Sequence, residues 1–136
     1  MALPSTTDII EDLEFFDDWE DRYKYIIDLG KSLPPMDEAL KTELRLVKGC
    51  QSSVWIEPGQ NGELMTFIVD SDAIIVRGLL ALVMAAYDQK TAAAIDAFDI
   101  DAYFAELDLE RHLSPTRGNG LKSIVARIQA MAKAAL

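Results

Sequence analysis

The strongest nucleophile among the side chains of this 136-residue sequence is the thiol of Cys50, its single cysteine. Gly49 directly precedes it and allows backbone angles that other residues avoid. Lys48 and Arg45 are close enough in sequence to favour a thiolate, and sulfur exchange needs no extreme pKa because the best attacking thiol titrates near the ambient pH. A second interpretation stays open, since free cysteine is among the most frequently buried residue types.

Two other residues are candidates for chemistry. His112, the single histidine, could act with Cys50 as the base of a thiol hydrolase, but the residues after Cys50 carry no cysteine-protease signature. A structural histidine near a helix end is therefore favoured. Arg117 lies in the polar segment 114–120, where it could donate to a carboxylate or to a partner's backbone, or be a solvated turn residue. The paired aspartates indicate helix caps rather than general acids: Asp70, Asp72, Asp99 and Asp101.

The composition bounds the class of protein. The length predicts one domain over residues 1–136, and the apolar content of 50% with 26% charged residues is typical of a globular chain. A net charge of -10 argues against nucleic-acid binding, which needs a basic footprint. One cysteine cannot form an internal disulfide, and with one histidine it is too few for structural zinc. Without a signal-peptide pattern or a bilayer-length apolar stretch, we expect a cytoplasmic protein that does not enter membranes.

Helical periodicity dominates both ends of the chain. An apolar stripe over residues 9–16 with Ser5 as cap predicts a first helix, and residues 19–30 predict a second that ends at Gly30. The segment 70–72 is expected to cap a long apolar helix from Ala73 to about Tyr87. Thr91 and Asp99 are expected to cap two short helices. Ser114 is expected as an N-cap followed by Pro115 at the first helical position, and the last helix is expected over about residues 121–135. The first 30 residues hold nine acids and two bases, a net of -7.

Between the helical regions, three segments predict strands: residues 44–48, 53–57 and 63–69. The first connection, residues 49–52, is a turn that presents Cys50, and the second, residues 58–62, has the composition of a tight turn. Consecutive strands with short connections favour antiparallel pairing. The expected fold is therefore α+β: a three-stranded antiparallel sheet with helices packed on one face.

The segment Val47-Lys48-Gly49-Cys50-Gln51-Ser52-Ser53-Val54-Trp55 resembles the V-x-G-C-Q-S-x-V-W signature of the SufE family of cysteine desulfuration proteins. Three further segments resemble the family in the same order along the chain: residues 23–34, 70–79 and 112–121. Together the four motifs span about residues 19–132, whereas the first seventeen residues match poorly. The resemblance implies a fold similar to that of IscU-type scaffolds.

The resemblance also implies a function. Cys50 would accept the persulfide sulfur of a cysteine desulfurase of the SufS type and pass it to an iron–sulfur assembly scaffold such as SufBCD. Pyridoxal phosphate would belong to the desulfurase, with no cofactor on this chain. Arg117 would contact the partner beside its active site, and Gln51, Asp72 and Arg77 also match family positions. Shielding of the cysteine loop until a partner binds is a family property, so Cys50 would swing out on docking.

Three alternatives stay open beside this hypothesis. The chain could regulate a desulfurase as an adaptor without carrying sulfur, or serve the related CsdA-type desulfurase in the manner of CsdE. It could also be the thiol hydrolase described above. The motifs do not separate these systems, and they leave open whether the chain is a homodimer. On the favoured hypothesis it acts with a desulfurase rather than as a free-standing enzyme, and one cysteine is too few to assemble a cluster alone.

Overall fold

The computed structural model describes residues 3–136, which form six α-helices, three strands and a short 3₁₀ turn at Glu38–Leu40. The helices are α1 (Thr6–Glu14), α2 (Trp19–Lys31), α3 (Ile74–Tyr87), α4 (Ala92–Ala97), α5 (Ile100–Glu106) and α6 (Pro115–Ala134). The strands are β1 (Val54–Asn61), β2 (Leu64–Ser71) and β3 (Lys90–Thr91). No helix within residues 3–136 is both long enough and apolar enough to cross a membrane.

The sheet is antiparallel with the order β1-β2-β3. A two-residue turn joins β1 to β2, with Asn61 opposite Leu64 and with Gly62 at φ 61°, a left-handed angle typical of such hairpins. Burial alternates along β1 and β2, so one face of the sheet joins the core. That face is formed by Val54, Ile56, Met65, Phe67 and Val69. The predicted α+β architecture is confirmed.

The identity of one strand was predicted wrongly. Residues 44–48 form only an isolated bridge, between Leu46 and Trp55, and the third strand is instead β3, which pairs with the start of β2. The backbone of Arg45 and Val47 does bond to β1 (Ile56 N to Arg45 O, 3.0 Å; Val47 N to Val54 O, 2.8 Å). The backbone N of Leu46 bonds back to the O of Thr42 over 3.1 Å, so the chain turns just before this segment and the pairing does not extend into a full strand.

Helix α3 lies at the centre of the core, with ten of its fourteen residues buried. It crosses α2 where Gly30 meets Gly78: a Cβ at Gly30 would lie 2.6 Å from the backbone N of Gly78. A Cβ at Gly78 would lie 2.5 Å from the backbone O of Ile26. Gly30 was predicted to end α2, but the helix continues through it to Lys31 because the glycine serves the helix crossing instead.

The helix starts were predicted with mixed success. Side chains of Ser5, Thr91, Asp99 and Ser114 accept hydrogen bonds from the first turns of their helices, as expected. The segment 70–72 does not cap α3, whose N-cap residue Ala73 makes no side-chain cap bond. The last helix starts at Pro115 rather than at residue 121, because Ser114 and Pro115 begin α6 itself.

Candidate functional site

Cys50 lies at the tip of the loop between the bridged segment at Leu46 and the start of β1. Gly49 before it has φ 92°, a left-handed angle that side chains rarely adopt, so the glycine is required for this turn. The thiol is half-buried and donates to the backbone O of Gly120 on α6 over 3.5 Å. Among the described residues the backbone of Gly49–Ser52 makes no hydrogen bond, so the tip is held mainly by this weak contact.

A small pocket of about 40 Å³ surrounds the thiol. Its walls are apolar and come from β1, α3 and α6: Val54, Val76, Leu79, Leu121 and Ile124. Its rim is polar and includes Gln51, Ser52, Thr116 and Arg117. A water-sized sphere needs roughly 10–15 Å³, so the pocket has room for an added atom on the sulfur. The structure therefore brings Cys50, Gln51 and Arg117 together at one pocket, and a role of Gln51 and Arg117 in partner binding stays a prediction.

Arg117 occupies the first turn of α6, where its backbone N donates to the capping Oγ of Ser114. Its side chain is exposed and makes no hydrogen bond or ion pair with residues 3–136. Gln51 is likewise exposed. These two side chains border the thiol pocket from opposite segments and are free to contact another molecule.

Asp72 holds the base of the cysteine loop rather than lining the pocket. Its Oδ1 accepts from the backbone N of Ser53 (3.1 Å), and its own backbone N donates to the O of Ser53 (3.3 Å). The Oγ of Ser71 donates to the same carbonyl over 2.7 Å. The cap expected at the start of α3 is thus replaced by a clamp on Ser53, because the polar side chains turn towards the neighbouring chain segment.

Arg77 also lies outside the thiol pocket, in a partly buried ion-pair cluster. Its Nε is 3.1 Å from Oδ1 of Asp70, a carboxylate that also pairs with Lys41 over 3.1 Å. Lys41 in turn lies over the ring of Trp55, 5.4 Å from its centroid. These contacts stabilise the junction of β2 and α3. A role of Arg77 and Asp72 in partner binding stays a prediction.

The expectation that basic neighbours favour a thiolate was wrong. Lys48 pairs with Glu43 and Arg45 pairs with Glu57, so both cations serve carboxylates instead of the thiol. Burial in the apolar pocket raises the pKa of the Cys50 thiol, since desolvation disfavours the charged form. In this conformation the pocket therefore disfavours the thiolate, which is the nucleophilic form of the group.

This burial predicts the pH dependence of labelling. Below its pKa a thiol becomes about tenfold more reactive per pH unit as the thiolate fraction grows. Because the pKa of Cys50 is raised, we expect its rate of alkylation by iodoacetamide to keep rising with pH beyond the inflection shown by the same chain unfolded in concentrated urea. An inflection at or below that of the unfolded chain would contradict the burial of the thiol.

His112 is not part of the thiol pocket. Its ring stacks on Trp19 with centroids 3.8 Å apart, and its Nδ1 lies 3.1 Å from the backbone O of Asp108. Tyr23 donates to the backbone O of His112. The structural interpretation of His112 therefore fits these contacts, and no histidine lines the thiol pocket as a base for hydrolysis.

Sequence reasoning missed one face of α6. Gly120, Ser123 and Arg127 are spaced by three and four residues, so they lie on one side of the helix. Gly120 contacts Cys50, and Arg127 donates to the backbone O of Leu46. Ser123 packs against Gly49 so closely that a Cβ added at Gly49 would lie 2.6 Å from its Oγ. The spacing was visible in the sequence, but nothing in it indicated which segment these residues would meet.

Comparisons with known proteins give the family and the fold of this chain. The chain matches the SufE family, described as an Fe-S metabolism associated domain, over residues 7–132. An uncharacterized SufE-like protein of Rhizobium etli is 46% identical over 137 residues, covering 98% of this chain and 93% of the relative. One from Rhizobium meliloti is 44% identical over 138 residues, covering 98% and 99%. A solution structure of a hypothetical protein from Thermus thermophilus shares the fold, with a TM-score of 0.78, 20% identity and coverage of 99% and 98%.

Proposed function

Because the chain belongs to the SufE family, which is associated with Fe-S metabolism, we propose that it accepts sulfur on Cys50 from the persulfide of a SufS-type cysteine desulfurase. It then passes this sulfur to an iron–sulfur assembly scaffold. The observation that carries the proposal is the placement of the sole thiol in a small apolar pocket, at the tip of a loop with few hydrogen bonds, beside the exposed side chain of Arg117.

The transfer is a thiol–disulfide type of exchange. The Cys50 thiol loses its proton and the thiolate attacks the outer sulfur of the desulfurase persulfide. The new S–S bond forms on Cys50 as the old one breaks, and the desulfurase cysteine leaves as a thiolate. No external oxidant or reductant is needed, because the sulfane sulfur keeps its oxidation state. The product is a persulfide on Cys50.

The resting position of Cys50 suits a carrier that meets its donor only in a complex. The raised pKa of the thiol lowers its reactivity towards unrelated molecules, and oxidation selects exposed thiolates. Moving the tip outward breaks the hydrogen bond of the thiol to Gly120 and its packing in the apolar pocket, and it exposes the sulfur to a docked partner. Arg117 on the pocket rim supplies a planar donor for a carboxylate or carbonyl of that partner.

The test is mass spectrometry of the Cys50 peptide after incubation of the chain with a holo cysteine desulfurase and cysteine. We expect a gain of one sulfur atom on this peptide, reversed by a reductant, and no gain when cysteine is omitted. An unmodified peptide in the presence of an active desulfurase would overturn the proposal.

A further inference from the structure

The guanidinium of Arg127 binds two backbone carbonyls of one segment. Its Nη1 donates to the backbone O of Leu46 over 2.8 Å, and its Nη2 donates to the backbone O of Leu44 over 2.7 Å. No carboxylate of residues 3–136 lies within ion-pair distance of it. Both of these donors of the planar guanidinium therefore bind residues 44–46, the segment that leads into the cysteine loop.

The two carbonyls lie just before the cysteine loop. Arg45 O and Val47 N bond to β1, so the carbonyl of Leu46 between them points to the opposite side. Leu44 lies in the turn that precedes it, and Arg127 binds both carbonyls. Residues 44–47, the upstream limb of the cysteine loop, are thus held between β1 and α6.

The same face of α6 contacts the loop at three successive points. Arg127 binds Leu44 and Leu46, Ser123 lies against Gly49, and the carbonyl of Gly120 accepts from the thiol of Cys50. The downstream limb is held separately, where Asp72 and Ser71 bond to Ser53. Contacts from α6 and from the start of α3 therefore set the position of the loop from its two sides.

We propose that Arg127 is a positioning residue that keeps Cys50 in its inward, half-buried position by fixing Leu44 and Leu46 to α6. This inference rests on the proposed sulfur transfer for its biological meaning, but the geometry concerns the isolated chain. Removing the fork frees the upstream limb, so the tip samples outward positions more often. A partner that binds only the outward position then binds more tightly in proportion to the population of that position.

The first measurement needs no desulfurase: the rate of Cys50 alkylation by iodoacetamide in the full chain at constant pH. Arg127→Ala removes both hydrogen bonds of the guanidinium, and we expect it to react about tenfold faster than the original chain, a factor that corresponds to roughly 1.4 kcal/mol. Arg127→Lys keeps the charge without the fork and should fall between the two. Lys133→Ala removes an exposed charge from the same helix and should react at the original rate.

Urea separates local release from loss of the fold. Local opening exposes little surface, so the faster labelling of Arg127→Ala should be insensitive to low urea concentrations, whereas labelling through global unfolding rises steeply with urea. A labelling rate within twofold of the original, or an increase that follows urea as global unfolding does, would overturn the proposal.

The second measurement uses the complete pair with a holo cysteine desulfurase. The KM for Arg127→Ala as sulfur acceptor should fall while kcat stays unchanged, since only the population of the binding-competent loop changes. An unchanged or higher KM would overturn the proposal, because a residue that only supports the fold has no reason to tighten binding. Failure of the proposed sulfur transfer would appear in a different measurement, because the Cys50 peptide of the original chain would then stay unmodified in mass spectrometry.

Discussion

Replacing Cys50 by serine is expected to abolish sulfur uptake and to reduce stimulation of the desulfurase at least about 100-fold, since an alcohol is a far weaker nucleophile and does not form a persulfide. The pocket around residue 50 is small and apolar, so the hydroxyl fits without steric conflict and still faces the carbonyl of Gly120. The measurement is the rate of sulfide or alanine release by a desulfurase with cysteine in excess, with and without the chain.

The same variant separates the carrier from an adaptor. Because Cys50 is half-buried and makes one weak hydrogen bond, Cys50→Ser should change the free energy of unfolding by less than about 1 kcal/mol. Loss of stimulation in a fully folded variant then reports chemistry rather than instability. Stimulation equal to that of the original chain would show that the protein acts on a desulfurase without carrying sulfur.

Gly78→Ala is expected to be the most damaging small substitution in the core. The new Cβ would lie 2.5 Å from the backbone O of Ile26 and 2.7 Å from its Cγ2, and backbone cannot give way as a flexible side chain can. Overpacking of a core costs about 1–3 kcal/mol and occasionally more. We expect the upper end, about 3 kcal/mol, which lowers the Tm by about 10 °C for a chain of this size.

The control for this prediction is Gly118→Ala on α6. A Cβ at Gly118 meets nothing within 4 Å, and its backbone is already helical. Alanine should therefore be neutral or should stabilise the chain by about 0.5–1 kcal/mol. Urea unfolding of both variants measures the difference, and a Gly78→Ala chain as stable as the original would mean that α2 and α3 do not cross as closely as described.

Local signals predicted the helices better than the contacts between them. The caps at Ser5, Thr91, Asp99 and Ser114 follow from bonds within four residues, so they were readable in the sequence. Gly30 was misread as a helix end because a glycine at a helix crossing has the same local appearance as a terminating one. What requires a glycine at position 30 is the close approach of Gly78, a residue distant in sequence.

In the candidate site too, local features were predictable from the sequence, whereas contacts between distant residues were not. The motif around Cys50 predicted a turn at residues 49–52, whereas the proximity of Arg117 to the thiol became visible only in the structure, because it depends on where α6 packs. Asp72 was misread as a cap because its partner, Ser53, lies 19 residues earlier. Lys48 and Arg45 were misread as activators of the thiol, since their pairing with Glu43 and Glu57 depends on side-chain directions that sequence spacing does not give.

The turn between β1 and β2 offers an attachment point for experiments on this chain. Seven residue steps along β1 separate Val54, next to the thiol pocket, from Asn61 at the turn, a span of about 20 Å in a twisted strand. Gly62 is exposed and has open space around its Cα. A short affinity tag inserted there would immobilise the molecule with the cysteine end presented to solution, so partners can be captured without blocking the sulfur.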